Sequence, residues 1–343
     1  MSARRIAIIL CNLGGPDGQA AVRPFLFNLF NDRFIIGAPQ PARALIAGLI
    51  STSRAASARR NYAKMGGGSP LLPETERQAA ALDAALRGRI AGAETKCFIA
   101  MRHWRPFSAD AAAAAAAWGA DEALIVPLYP QFSAATSASS LAAWRRASRS
   151  PARAVCCWPA SDGFARAHAG AILDAWRAAG EPGAPRVLFS AHGLPERAIK
   201  AGDPYQWQVE RTVSAVARLL PEGWTHEICY QSRVGPLRWI GPSTEDAIDR
   251  AGAEGRGVIV SPISFVSEHI ETLVELDEDY AARARACALP FYIRAPALSA
   301  RADFIAALAD IIVAAAGRPI GVASETGARI CPTGFKLCAM ESA

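Results

Sequence analysis

Apolar and polar positions along the chain follow two rhythms. Short apolar, β-rich runs occupy 6–10, 96–101, 122–128, 152–158, 186–190, 226–231, 257–263 and 290–295. Runs without polar alternation are the signature of strands covered on both faces, as in parallel sheets. Between them lie longer stretches with helical spacing, at 79–86, 109–118, 139–147, 163–179, 206–220, 244–251 and 300–316. Regular strand–helix alternation predicts βαβ units.

The runs divide four and four near residue 160. The expectation is an α/β protein of two similar Rossmann-like lobes, each with a four-stranded parallel sheet flanked by helices, and a ligand cleft between them. Residues 1–160 would form the first lobe, 161–318 the second, and 319–343 a tail carrying Cys331 and Cys338. A length of 343 residues suits this division, and a hydrophobic content of 51% excludes a disordered chain. The net charge of +6 is not gathered into a Lys-rich tail, and no nucleic-acid motif accompanies it, so no nucleic-acid partner is expected.

The first ten residues imitate the start of a signal peptide, but their apolar core is short and runs straight into Asn12-Leu-Gly-Gly-Pro. A buried first strand and a tight turn explain them better. No run of about twenty apolar residues predicts a transmembrane helix. Five of the eight cysteines, Cys11, Cys97, Cys156, Cys157 and Cys229, fall in strand-like runs. They read as reduced core residues, which points to a cytosolic compartment. Neither G-x-G-x-x-G nor G-x-x-x-x-G-K-[ST] occurs, so the fold alone implies no nucleotide cofactor.

The chemistry concentrates after two strands of the second half. His192 follows one, in Phe189-Ser-Ala-His-Gly-Leu-Pro195, where Gly193 and Pro195 predict a sharp turn. His269 follows another and opens an acidic stretch with Glu268, Glu271, Glu275 and Glu278. At roughly 100° per residue, these four glutamates would share one helical face. Ligands in open α/β sheets bind beyond the carboxyl ends of strands. Two histidines converging there with carboxylates suit proton removal and a borderline divalent ion such as Fe(II) or Zn(II).

Large aromatic side chains follow other strands: Tyr129, Trp158, Tyr230 and Trp239. Several at one rim suit a flat apolar ligand, and Arg102, His103, Arg233 and Arg238 would pair with its carboxylates. The apolar stretch 34–50, followed by Arg54, Arg59, Arg60 and Lys64, reads either as an ordinary packed helix or as one that dips into an anionic membrane surface.

Taken in order, Asn12-Leu-Gly-Gly-Pro, Gly66-Gly-Gly-Ser-Pro, Tyr129-Pro-Gln, Phe189-Ser-Ala-His-Gly-Leu-Pro, Gly202-Asp-Pro-Tyr, Tyr230-Gln-Ser-Arg-Val-Gly-Pro and Ser267-Glu-His-Ile-Glu-Thr-Leu resemble the ferrochelatase family. The resemblance implies insertion of Fe(II), as substrate, into protoporphyrin IX. It implies that His192 and Glu271 are the catalytic and metal-contacting pair, with His269 and Glu275 beside them. Tyr62, Ser69, Arg102, Tyr129 and Trp239 would contact the macrocycle, and 34–50 would form the lip through which porphyrin enters from a membrane. Which of His192 and Glu271 takes protons and which guides the ion stays open. Coproporphyrin or cobalt chelation, and a non-catalytic tetrapyrrole carrier, are the alternatives. Monomer and homodimer are equally compatible with the sequence.

One departure concerns a [2Fe-2S] cluster held by many members on four cysteines. Only Cys331 and Cys338 are present in the tail; Gly334 and Ala134 stand near the other expected positions. Two thiolates cannot supply a four-cysteine ligand set, so the tail reads either as a remnant or as a site in which Cys331 and Cys338 borrow another ligand.

Overall fold

In the computed structural model, which describes residues 3–233, 235 and 237–340, the chain forms two compact units. One comprises the chain through Cys157 together with Leu308–Ile330; the other comprises Trp158–Ala307 and the stretch from Cys331. Each unit is built on one all-parallel sheet.

The first sheet contains β1 (Arg4–Asn12), β2 (Ala93–Met101), β3 (Glu122–Pro127) and β4 (Ala152–Val155). A later strand joins it, so the order is β2-β1-β3-β4-β9 with β9 at Gly321–Ala323. This corrects the expected four strands to five. β9 has only three residues and no long apolar run to announce it; its identity comes from pairing with β4, Arg153 opposite Gly321 and Val155 opposite Ala323. β1 is an interior strand, paired with β2 on one edge and β3 on the other, and Ile6 through Cys11 are at most 1% exposed. That burial is why its sequence is continuously apolar rather than alternating.

The second sheet contains β5 (Arg186–His192), β6 (Thr225–Gln231), β7 (Val258–Pro262) and β8 (Tyr292–Arg294), in the order β6-β5-β7-β8. Alternate residues feed two cores. Val187, Phe189, Ala191 and Ile259 pack on one face with Val209, Val213 and Ile172; Leu188, Val258 and Val260 pack on the other with Ile248, Leu276 and Tyr280. This is the two-residue period of a strand, made apolar on both sides by helices above and below. Each fully buried large apolar side chain contributes about 1.5–3 kcal/mol relative to exposure.

The parallel register then sets the functional end of the sheet. His192, the last residue of β5, pairs with Gln231, the last of β6. Gly193 follows, with its N–H donating to the Gln231 carbonyl at 2.8 Å. A Cβ at Gly193 would lie 2.9 Å from that carbonyl oxygen and 3.3 Å from the Trp239 ring, so the close approach requires glycine.

After β7 the chain enters a π-helix, Glu271–Tyr280, in place of the α-helix expected there. Its i→i+5 turn holds more residues than an α-turn, so residues seven apart no longer stack. The expected single stripe of four glutamates is accordingly broken. Glu271 and Glu275 point to the β5–β6 ends. Glu268, before the helix, accepts from Arg294 at 2.7 Å and from the Ala297 N–H at 2.9 Å, while Glu278 is exposed.

The tail from Cys331 packs on the second unit. Leu337 N–H donates to the Gly202 carbonyl at 3.1 Å, and the Phe335 and Trp207 rings lie 5.9 Å apart. Among the described residues, no helix is long and apolar enough to cross a membrane.

Candidate active site

The His192 ring stands at the carboxyl end of β5, and its Nδ1 lies 2.7 Å from Oε2 of Glu271. Side-chain exposures of 39% for His192 and 23% for Glu271 leave the pair reachable by a ligand. Burial pulls the His192 pKa down, but the charge and hydrogen bond of Glu271, with a smaller contribution from Glu275, outweigh it and raise the net value. For Glu271, burial opposes ionisation, yet the His192 charge and hydrogen bond, then His269 and Ser232, lower its pKa to about 2. The arrangement is an ionised carboxylate holding the imidazole by one nitrogen and leaving Nε2 as the ring atom available to a substrate.

Ser232, the residue after β6, ties the second carboxylate in. Its Oγ lies 2.9 Å from Glu271 Oε2 and 2.6 Å from Glu275 Oε2, and its N–H donates to Glu275 Oε1 at 2.9 Å. Gln231 Nε2 donates to Glu275 Oε2 at 2.9 Å and to the Glu271 carbonyl at 3.0 Å. Tyr280 OH donates to Glu275 Oε1 at 3.1 Å. Burial, followed by the nearby Glu271 charge, raises the Glu275 pKa despite these donors. The two carboxylates are thus driven in opposite directions, one toward ionised and one toward protonated, a division typical of acid–base sites.

His269 serves differently from His192. Its Nδ1 accepts the Glu271 N–H at 3.0 Å, which assigns the remaining ring proton to Nε2, and burial lowers its pKa. Phe265 packs edge-on against it, ring centroids 4.4 Å apart. His269 therefore orients the start of the π-helix as a neutral ring.

The second unit also carries Trp239, half-buried beside Gly193 and bridged through its backbone to Pro195; the indole Nε1 is buried without a hydrogen-bond acceptor among the described residues. Arg233 and Arg238 are exposed.

In the first unit, Tyr62 is buried in the last turn of the helix Ala42–Lys64. Ser69 sits directly over Gly15, where a Cβ would lie 2.4 Å from its Oγ. Tyr129, just past β3, is half-buried, and burial pushes its phenol pKa up. Arg102 is held by Asp32 and Ser139, two residues with no signal in the sequence reading. His103 does not pair with a ligand carboxylate as expected: it is fully buried, and burial together with the Arg102 charge lowers its pKa to about 3, so it is neutral.

The ferrochelatase family model matches residues 5–316. The chain belongs to the ferrochelatase family. It is 53% identical over 337 residues to a ferrochelatase of Phenylobacterium zucineum (strain HLK1), covering 98% of each chain. It is 52% identical to a ferrochelatase of Caulobacter vibrioides (strain NA1000 / CB15N), covering 98% of this chain and 97% of that one. A ferrochelatase of Rickettsia bellii (strain OSU 85-389) is 42% identical, over 98% of this chain and 96% of the relative. A multi-domain Deinococcus radiodurans protein described as structurally similar to chelatases shares the fold, with TM-score 0.50 at 14% identity over 95% of this chain and 57% of that one. The chain is thus an enzyme of the metal-chelatase class, acting in porphyrin and haem biosynthesis.

The residues of this ferrochelatase-family chain do not supply the four-cysteine ligand set of a [2Fe-2S] cluster. Cys331 and Cys338 are both buried, and Cys331 Sγ accepts from Gln208 Nε2 at 3.1 Å. Among the described residues, no three or more His, Cys, Asp and Glu side chains gather in a group that could hold a metal ion.

Proposed function

We propose that the chain inserts Fe(II) into protoporphyrin IX, releasing two pyrrole protons and completing protohaem. The observation that carries the reading is the His192–Glu271 pair at 2.7 Å in a chain of the ferrochelatase family.

A planar porphyrin shields its nitrogens, so insertion requires a base at the ring face and somewhere for the protons to go. Neutral His192, held at Nδ1 by Glu271, accepts a pyrrole proton at Nε2. The resulting imidazolium is stabilised by the Glu271 carboxylate, whose depressed pKa keeps it charged. Ser232 Oγ links Glu271 to Glu275, so the proton leaves His192 through a short polar path. The same acids attract an incoming cation. His269 fixes the Glu271 backbone and so the direction of its carboxylate.

Tyr62, Ser69, Arg102, Tyr129 and Trp239 are the proposed macrocycle contacts, with Arg102 pairing a propionate. Protoporphyrin is preferred over coproporphyrin in this reading because the segment that would receive it is apolar: Leu45 and Leu49 are 68% and 65% exposed. The exposed leucines, with Arg54 and Arg60 farther along the same helix, support peripheral contact with an anionic membrane.

The test is anaerobic Fe(II) insertion into protoporphyrin IX followed by absorbance, with Glu271→Gln in parallel. Haem formation by the native chain and its loss in the variant are expected. Tight porphyrin binding by the native chain without insertion would overturn the reading in favour of a carrier.

A further inference from the structure

The geometry points to Asp32 and Ser139 as positioning residues that pre-orient Arg102 for a carboxylate arm of the porphyrin. Asp32 is 3% exposed and Ser139 is fully buried, so neither is placed to meet the macrocycle itself. Both are engaged with Arg102: Nη2 lies 2.7 Å from Asp32 Oδ2, and Nε donates to Ser139 Oγ at 2.6 Å. Ser139 Oγ in turn donates to the same Asp32 oxygen, closing a triangle. The other Asp32 oxygen accepts the Phe34 N–H at 3.0 Å, which ties the carboxylate to the start of the apolar segment.

The triangle uses Nε and one Nη2 hydrogen. Among the described residues, the Nη1 hydrogens and the second Nη2 hydrogen have no side-chain acceptor, on a side chain 18% exposed. A guanidinium is a rigid fork, and fixing one edge fixes the direction of the other. A free arginine would lose its rotamer freedom on binding; one already held loses little, so the constraint acts on substrate affinity. His103 does not compete for Asp32. Its ring nitrogen is 3.9 Å away, beyond hydrogen-bond range, and the ring is buried.

The proposal rests on the ferrochelatase reading given above, and its test separates the two. Steady-state insertion would be measured for the native chain, Asp32→Asn and Ser139→Ala, with a dicarboxylic porphyrin and with its dimethyl ester, both detergent-dispersed. The expected result is a KM for the dicarboxylic porphyrin raised about tenfold in each variant, the size of one charge-assisted hydrogen bond, with kcat within about twofold of the native value. KM for the ester, which has no carboxylate to meet, should not change. Equal KM changes for acid and ester, or no change for either, would overturn the positioning role. Should Asp32→Asn fail to fold after losing a buried charge, Ser139→Ala decides alone. Absence of insertion by the native chain would instead count against the functional reading.

Discussion

His192 and Glu271, 79 positions apart in the chain, meet through a single 2.7 Å contact between Nδ1 and Oε2, and each shifts the other's protonation in the direction that strengthens the pair. Glu271→Gln keeps the shape and removes the charge. The kcat for iron insertion should fall about 10²–10⁴-fold, the range associated with a positioned acid–base group. Stopped-flow absorbance of haem formation checks this, and a variant within tenfold of native would remove Glu271 from the chemistry.

The pH profile follows from the same pair. A proton acceptor works only when neutral, and the His192 pKa is raised above its ordinary 6.5. Activity should therefore rise with pH through a limb centred above 6.5. In Glu271→Gln the raising charge is gone, so the limb should move to lower pH while the plateau drops. The pair's contribution to stability has the matching signs. The His192 part is full below 6.5 and lost as pH rises through the raised folded value; the Glu271 part is full above 4.5 and lost as pH falls toward about 2. An unshifted limb in the variant would show that another group titrates.

Ser232 combines a positive φ of 60° with hydrogen bonds to two carboxylates. Such strain in a non-glycine residue costs about 1–3 kcal/mol and persists where function depends on it. Ser232→Ala and Ser232→Gly both lose the Oγ bridge, and each should lower kcat about tenfold, comparable to one charge-assisted hydrogen bond. Glycine relieves the backbone strain, so its Tm should exceed that of the alanine variant. A Tm order of alanine above glycine would contradict the strain assignment.

Among the described residues, Leu45 and Leu49 are the most exposed large apolar side chains. Replacing both with serine should reduce cosedimentation with anionic vesicles about tenfold or more, since each buried leucine is worth about 1.5–3 kcal/mol. Insertion into detergent-dispersed porphyrin should hold at the native rate. Unchanged vesicle binding would assign the leucines no role at a membrane.

Phe189 is fully buried three residues before His192, on the face of β5 shared with Val209 and Val213. Phe189→Ala should destabilise the protein by about 3–5 kcal/mol through lost burial and a cavity. Equilibrium urea unfolding followed by circular dichroism measures it, and a loss below about 1 kcal/mol would mean the core refills the space.

The sequence alone located the first eight strands, because short apolar, β-rich runs set between helical stretches fit a parallel sheet covered by helices. It also determined that His192, His269 and the acids follow strand ends, where parallel sheets leave their binding edge. Tertiary structure decided what spacing cannot encode. β9 exists because three residues satisfy the open edge of β4, a matter of pairing rather than pattern. Glu268 turns to Arg294 while Glu271 and Glu275 share Ser232, because a π-turn changes which residues align. Asp32 reaches Arg102 across 70 positions, and Ser232 reaches Glu275 across 43, because hydrogen bonds depend on where folded elements bring donors and acceptors, not on the local composition that surrounds them.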